Sequence, residues 1–168
     1  MTLRVRPALE EDKAAIRAVL TAAFPSSAEA ELVERLAGDG DLVFGFCAVD
    51  EGEVVGYAAF SRMTVVADDA RVPALALGPV AVVPERQRRG IGGQLLESGL
   101  AAANGRGIHL VFVLGEPDFY GRFGFRAQTA APFASPYAGP HFMAQWLSSP
   151  RAPASGRADY APAFVALG

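Results

Sequence analysis

Residues 75–100 read LALGPVAVVPERQRRGIGGQLLESGL, and the rest of the chain is organised around them. The stretch opens with an almost continuous apolar run, which breaks at Pro84 and gives way to a polar, arginine-rich segment. From Ile91 to Leu100 the apolar residues recur with the spacing of one helix face. The order therefore predicts a strand, a polar loop and a helix, with glycines at the point where the helix begins.

The glycines at the predicted start of the helix point to an anion site. A helix N-terminus leaves backbone N–H groups unpaired and carries a partial positive charge. A ligand can approach the backbone closely at glycine, which has no Cβ atom. The residues that would form the site are three glycines and three arginines: Gly90, Gly92, Gly93, Arg86, Arg88 and Arg89. They predict either a phosphate or pyrophosphate site or a tight strand-to-helix turn without a ligand.

The spacing of the loop excludes two common phosphate motifs and fits a third pattern. No third glycine completes G-x-G-x-x-G, and no glycine is followed by Lys and then Ser or Thr. The loop instead reads Q-x-x-G-x-G over residues 87–92, after a strand at 80–82 and Pro84. This closely resembles the acetyl-CoA loop of the GNAT superfamily of N-acetyltransferases. A second segment, FYGRFGF at residues 119–125, resembles the family's Y-x-x-x-G-F motif.

The resemblance implies a mixed α/β fold. Its central sheet is mostly antiparallel, with about six to seven strands and helices on both faces. In the family the fourth strand bulges and splays from the fifth, and acetyl-CoA, the co-substrate, lies in the cleft between them. The break at Gly78-Pro79 agrees with such a bulge, because proline cannot donate to a strand ladder. The resemblance assigns cofactor contacts to ten residues: Val80, Ala81, Val82, Gln87, Arg88, Arg89, Gly90, Ile91, Gly92 and Gly93.

Acetyl transfer to an amine sets three chemical requirements. The amine must be neutral, the developing oxyanion needs hydrogen-bond donors, and the leaving thiolate needs a proton. The resemblance implies that Tyr120 supplies this proton, whereas the residues alone also allow a packing tyrosine. A phenol near pKa 10 protonates a thiolate near 8.5 at a cost of about 2 kcal/mol. The oxyanion donor would be a backbone N–H near Val82.

The sequence does not identify a general base. Many members of the family carry a glutamate on the fourth or fifth strand, but residues 80–83 and 110–114 contain no carboxylate. The family's frequent asparagine after the fifth strand is replaced by Gly115-Glu116-Pro117. Glu116, Asp118 and His109 are the nearest candidates, and each also fits a surface or capping role. Base catalysis through water, or none, stays open. An α-amine near pKa 8 needs about 1 kcal/mol to lose its proton at neutral pH, whereas a lysine-like amine needs ~4.6 kcal/mol.

Composition narrows the class of protein. The 168 residues are half apolar, which is enough to bury the core of one domain. The net charge of −3 gives no general reason to expect nucleic acid or an anionic membrane as a partner. The one cysteine, Cys47, is expected to be buried and inert, and the two histidines leave a metal site almost without ligands. No signal pattern or long apolar run is present, so we expect a cytoplasmic protein.

The periodicity predicts helices at 10–24, 28–37 and 91–103, and a short helix after Gly115-Glu116-Pro117. Strands are predicted at 3–6, 42–49, 54–62, 75–82 and 108–114, with a turn over 63–74. Phe125–Thr129 and His141–Leu147 are candidates for a sixth and a seventh strand. The resemblance makes Phe24–Glu29 a wall of the acceptor site, although an ordinary interhelical loop fits equally well. We expect one domain over residues 1–168, whose proline-rich end forms ordered irregular loops or a partly loose tail from Ser148 to Ala158.

Three functions fit these patterns. The first is an N-acetyltransferase that moves acetyl from acetyl-CoA to a primary amine by direct attack in a ternary complex. The second is a catalytically silent acyl-CoA sensor on the same fold. The third is a nucleotide-binding α/β protein that uses the glycine loop for phosphates alone. Small amines, amino acids, peptide N-termini and lysines all stay open as acceptors, and the chain could be a monomer or a homodimer.

Overall fold

Residues 2–167 are the residues that this computed structural model describes, and they form nine strands and five α-helices. The strands are β1 (Arg4–Pro7), β2 (Leu42–Asp50), β3 (Glu53–Ala67), β4 (Ala70–Arg71), β5 (Ala74–Val82), β6 (Leu110–Leu114), β7 (Phe133–Ala134), β8 (Phe142–Trp146) and β9 (Gly156–Tyr160). The helices are α1 (Lys13–Ala23), α2 (Ala28–Gly38), α3 (Ile91–Gly105), α4 (Pro117–Tyr120) and α5 (Ala127–Ala130). Short 3₁₀ turns lie at Glu10–Asp12, Pro84–Arg86, Gly121–Phe123 and Pro162–Leu167.

The strands form a mixed sheet with the hydrogen-bonded order β1-β2-β3-β5-β6-β8. Most neighbours are antiparallel, whereas β5 and β6 run parallel because helix α3 connects them as a crossover. The mostly antiparallel α/β fold is therefore confirmed. The nine strands within residues 2–167 exceed the six to seven predicted, partly because β4 and β7 have only two residues each. The predicted fourth strand is consequently β5, and the predicted fifth is β6.

The chain divides into two units. The first unit consists of the residues up to Ser61, Pro79–Gly99 and the residues from Pro162 onward. The second unit consists of Arg62–Gly78 and Leu100–Ala161. Strands β3 and β5 and helix α3 contribute residues to both units. That residues 1–168 form a single domain stays a prediction.

In the first unit, strand β3 has helices on both faces. Successive side chains of a strand point to opposite faces. Tyr57 and Ala59 pack in a buried cluster with residues of α1 and α2. Gly56 and Phe60 point the other way, towards α3. A Cβ atom at Gly56 would lie 3.1 Å from Leu95, and one at Gly99 of α3 would lie 2.2 Å from the ring of Phe60. Glycine at these two positions lets strand and helix pack closely.

In the second unit, β6 is the buried centre of an aromatic core. Its first four residues are buried, which fits a strand covered on both faces. The ring of Phe112 stacks on Phe142 of β8 and meets Phe133 of β7 edge-on, with both centroid distances at 5.2 Å. The parallel register pairs Ala74–Leu77 of β5 with Leu110–Val113 of β6. The predicted strand at 141–147 is confirmed as β8.

The predicted turn over residues 63–74 is wrong in its first part, because β3 continues to Ala67. Val65 and Ala67 are buried, and residues 63–67 pair antiparallel with β9, which lies far away in the sequence. The reversal contracts to Asp68 and Asp69, which have φ values of 47° and 68°. Aspartate tolerates this left-handed region better than most residues.

The candidate strand at Phe125–Thr129 is also wrong. Arg126 forms an isolated antiparallel bridge with Ala144, and the chain then turns into α5 at Ala127. Alanine has the highest helix propensity, and Ala130 is completely buried in the core of the second unit. Packing of the α5 alanines therefore outweighs the strand pattern.

The proline-rich end of the chain is tied to the β3–β4 turn. The Asp68 carboxylate accepts hydrogen bonds from the backbone N–H groups of Ala154 and Ser155, at 3.0 and 3.2 Å. Gly156–Ala158, which fall in the segment predicted as ordered loops or a loose tail, belong to β9. The longest helix of the described chain has 15 residues, and none has the length and hydropathy that a membrane span requires.

Candidate functional site

The loop between β5 and α3 begins with a 3₁₀ turn and ends in left-handed backbone. Pro84–Arg86 form the turn, which fits the restricted φ of proline at a helix start. Arg88 and Gly90 then have φ values of 65° and 78°. The N–H of Gln94 donates to the carbonyl of Gly90 at 3.1 Å, which makes Gly90 the residue that caps helix α3. The predicted strand, loop and helix are confirmed.

This loop collects backbone N–H groups that have no acceptor. Within residues 2–167, nothing accepts a hydrogen bond from the N–H groups of Arg88, Arg89 and Gly90. The N–H groups of residues 91–93 lie in the first turn of α3, where no carbonyl precedes them within the helix. Where the backbone alternates between right-handed and left-handed conformations, successive N–H groups point towards one concave surface, and such a surface binds anions. The backbone is therefore suited to a phosphate or pyrophosphate.

The space beside Gly90 is open. A Cβ atom built on Gly90 would meet no protein atom within 4 Å. Protein packing therefore does not demand glycine at this position, whereas its φ of 78° does favour glycine. The β5–α3 loop therefore leaves room for a ligand to approach the backbone at Gly90.

Gln87 fastens the loop to the strand that precedes it. Its side-chain Nε2 donates to the carbonyl of Val82 at 2.9 Å, across the 3₁₀ turn. The sequence predicts Gln87 as a cofactor contact, and in the structure its side chain makes this internal hydrogen bond. Residues 87–90 are otherwise exposed, including the side chains of Arg88 and Arg89.

Arg86 has an acidic partner that the sequence did not reveal. Its Nε lies 3.3 Å from Oδ2 of Asp50, at the end of β2. The Asp50 side chain is only 9% exposed, so the ion pair is partly removed from water. The guanidinium of Arg86 therefore anchors the loop, and Arg88 and Arg89 are the arginines exposed towards solvent.

The predicted strand contacts belong to the first unit and differ in burial. Ala81 packs in the buried cluster with α1 and α2, whereas Val80 and Val82 are half-buried. In the described chain the pairing of β5 with β6 does not continue beyond Leu77. It stops where Gly78-Pro79 was predicted to interrupt the strand, and Gly78 has a φ of 143°. The backbone at 80–82 is therefore not part of the parallel ladder.

Tyr120 lies in the second unit at the end of α4. Its ring lies against the backbone of Gly115, where an added Cβ would come within 2.3 Å, and it meets Phe119 and Phe125 edge-on. Burial raises the pKa of Tyr120 to about 12. Protonation of a thiolate near pKa 8.5 then costs about 5 kcal/mol, more than the value for a solvated phenol. The hydroxyl keeps its proton at every physiological pH.

Comparison with known proteins identifies the family. A family model described as an acetyltransferase (GNAT) domain matches residues 4–127. The chain belongs to the GNAT acetyltransferase family. It is similar to the N-acetyltransferase YhbS of Escherichia coli strain K12, with 40% identity over 122 residues, 72% of each chain. It is 37% identical over 118 residues to YjhQ of the same organism, covering 69% of this chain and 65% of YjhQ.

Two solved GNAT structures resemble the whole fold. Escherichia coli YhbS in complex with CoA has a TM-score of 0.84 and 30% identity, over 97% of this chain and 92% of that one. A GNAT acetyltransferase of Brucella melitensis in complex with acetyl-CoA has a TM-score of 0.79 and 33% identity, over 96% and 97%. The predicted superfamily, fold class and acyltransferase activity are therefore confirmed.

The surroundings of the three predicted candidates, Glu116, Asp118 and His109, do not identify any of them as a general base. Glu116 and Asp118 are exposed beside α4, and the Glu116 carbonyl accepts hydrogen bonds from the N–H groups of Phe119 and Tyr120. His109 is half-buried, and its backbone is fixed by hydrogen bonds to Pro73 and Leu147. Base catalysis through water, or none, stays open.

Proposed function

We propose that this GNAT enzyme binds CoA through the β5–α3 loop and transfers acetyl from acetyl-CoA to a primary amine. The observation that carries the proposal is the row of backbone N–H groups at residues 88–93, which lack a carbonyl acceptor and face open space at Gly90. A pyrophosphate supplies anionic oxygens for such donors. The CoA and acetyl-CoA complexes of relatives with 30% and 33% identity support the same ligand.

Each predicted contact would have a separate role. The N–H groups of Gly90, Ile91, Gly92 and Gly93 would hold the pyrophosphate, with Gln87 fixing the loop. Arg88 and Arg89 would add charge towards the phosphates, since their side chains are exposed. The backbone of Val80, Ala81 and Val82 would bind the pantetheine arm, because it lies outside the β5–β6 ladder.

Tyr120 would donate its proton to the departing CoA sulfur. The neutral amine would attack the thioester carbonyl of acetyl-CoA, and the C–S bond would break. The amine nitrogen would lose one proton to water, and solvent would restore the proton of Tyr120. Burial of Tyr120 keeps the phenol protonated, although its raised pKa makes donation of the proton more costly than from a solvated phenol. A general base would not be required for an amine that is already partly neutral, so acceptors with pKa values near 8 are expected to react faster than lysine-like amines.

The deciding experiment measures free CoA thiol after incubation with acetyl-CoA and a panel of amines. The panel includes amino-acid amides and short peptides as α-amines, and Nα-blocked lysine and polyamines as strongly basic amines. We expect amine-dependent thiol release and an acetylated product of matching mass. A silent sensor would bind acetyl-CoA in calorimetry and release no thiol with any amine. A nucleotide-binding protein would bind ADP as tightly as CoA.

A further inference from the structure

A cavity of about 210 Å³ lies inside the first unit, between α1, α2 and the start of β2. Its lining includes Ile16 and Leu20 of α1, Ala30 and Val33 of α2, and Gly45 of β2. None of its lining residues falls between residues 79 and 99, so it is separate from the β5–α3 loop. The cavity therefore has no part in the proposed cofactor contacts.

The walls of this cavity are apolar and its charges are paired. The four charged residues of the lining form two ion pairs, Arg17–Glu34 at 2.7 Å and Lys13–Glu10 at 3.6 Å. Their side chains are 40% exposed or more, which places them at the mouth. The formal charge of the lining is therefore zero. A neutral ligand fits such a site better than an ion, because an ion would lose its hydration without a free partner.

One polar group lies deep in the cavity wall. Tyr57 is 1% exposed, and its ring end lies against Gly45, where an added Cβ would come 2.7 Å from the hydroxyl oxygen. No hydrogen bond within the described chain involves this hydroxyl. Burial raises the pKa of Tyr57, so the group remains a donor. Because Tyr57 lines the cavity, a ligand acceptor there can take up the free hydrogen bond of its hydroxyl.

The neighbouring polar groups already have partners. The Asp12 carboxylate accepts two hydrogen bonds from Arg6, at 2.7 and 3.0 Å, and one from the N–H of Leu9 at 2.7 Å. The Cys47 thiol lies 3.9 Å from the same carboxylate. Arg6, Asp12 and Cys47 do not line the cavity, and their polar groups contact one another, which leaves the Tyr57 hydroxyl as the donor available to a ligand.

We propose that this cavity is a second binding site, for a small neutral aromatic or branched molecule that carries a carbonyl oxygen. A cavity of about 150 Å³ is known to hold benzene, so the volume fits one ring with a short substituent. The carbonyl oxygen of the ligand accepts a hydrogen bond from the Tyr57 hydroxyl, and the ring of the ligand contacts the apolar residues of α1 and α2.

The test titrates the full-length protein with acetophenone and with its isostere α-methylstyrene, which lacks the carbonyl oxygen. Ligand-observed NMR and thermal shift measure binding without any use of the catalytic activity. We expect acetophenone to bind roughly 3- to 10-fold more tightly than the isostere, which is the usual effect of one hydrogen bond. Benzoate, the anionic probe, should bind more weakly than acetophenone.

Three variants make the test decisive. Tyr57→Phe should abolish the preference for acetophenone over α-methylstyrene. Ala30→Leu should fill the cavity and remove binding of both probes, while Ala22→Leu, on the exposed side of α1, should leave binding unchanged. If Ala30→Leu does not fold, Ala37→Phe at the exposed mouth takes its place. The absence of saturable binding, or equal binding in wild type and the filled variant, would overturn the proposal.

Discussion

The Nε atom of Arg86 lies 3.3 Å from Oδ2 of Asp50, and this ion pair divides the three arginines of the β5–α3 loop into two groups. The Arg86 side chain is 28% exposed and that of Asp50 9%. The two other arginines, Arg88 and Arg89, are exposed. Arg86 therefore holds the loop to β2, and the exposed pair remains for the phosphates of the proposed cofactor.

The first prediction is that charge recognition of CoA depends on Arg88 and Arg89. Replacing either residue by Gln should weaken CoA binding roughly 3- to 10-fold at low salt, because an exposed charge-assisted contact is lost. In the wild type, affinity should fall as ionic strength rises, and the double variant should show a flatter salt dependence. Calorimetric titrations at low and high salt measure both effects.

Arg86→Gln is the matched control for this arginine pair. It leaves a nearly buried Asp50 carboxylate without its cation, so it should lower the free energy of unfolding by about 1–3 kcal/mol. CoA affinity of the folded variant should then change less than in Arg88→Gln. A salt-independent affinity in the wild type would contradict the phosphate assignment.

The second prediction concerns Gly90. Alanine at this position meets no protein atom within 4 Å, so the variant should lose only about 1 kcal/mol of stability from its left-handed φ. CoA affinity should fall by a much larger factor, because the methyl group occupies space beside the N–H groups that hold the pyrophosphate. Gly40→Ala is the control: its φ of 77° and its open surroundings match, but it follows α2. Equal CoA affinity in both variants would remove the loop from the site.

Local sequence pattern was enough to predict the strand, loop and helix of residues 75–100. Apolar spacing defined α3, proline marked the 3₁₀ turn, and glycine marked the start of the helix. The pairing of Arg86 with Asp50 could not be predicted, because 36 residues separate the two and only the fold brings them together. The loop motif identified the arginines as a group but could not assign their partners.

Contacts between residues far apart in the sequence also explain the two errors in secondary structure. Residues 63–67 extend β3 because β9, more than 80 residues away, provides a partner strand. Residues 127–130 form a helix because buried alanine packs in the second unit. The cavity beside Tyr57 was likewise hidden, since its walls come from three elements and no motif marks them.

The third prediction concerns acid stability. Hydrogen bonds from Arg6 lower the pKa of Asp12 to about 2, below the value near 3.8 of the free side chain. A lowered pKa in the folded state means that the stabilisation is present above about pH 4 and is lost as pH falls towards 2. About 2 kcal/mol of unfolding free energy should disappear over this range. Chemical denaturation at several pH values measures it, and Asp12→Asn should flatten the profile between pH 4 and 2. An unchanged slope in that variant would assign the acid sensitivity to other groups.

The last prediction concerns Tyr120, the proposed general acid. Tyr120→Phe keeps the ring that packs on Gly115, so stability and CoA affinity should barely change. The value of kcat should fall by roughly 10²–10⁴, the usual contribution of a positioned general acid, with KM little affected. Tyr137→Phe, which alters another tyrosine of the second unit, is the control and should retain wild-type kcat.

The pH dependence provides an independent check on the same residue. Because burial raises the pKa of Tyr120 to about 12, its deprotonation should not reduce wild-type kcat below about pH 11. An alkaline loss of kcat with an apparent pKa near 10 that vanishes in Tyr120→Phe would show a solvated phenol and contradict the buried one. A packing tyrosine would instead leave kcat unchanged in a well-folded Phe variant, and that outcome would remove Tyr120 from the mechanism. Protonation of the thiolate would then have to come from water.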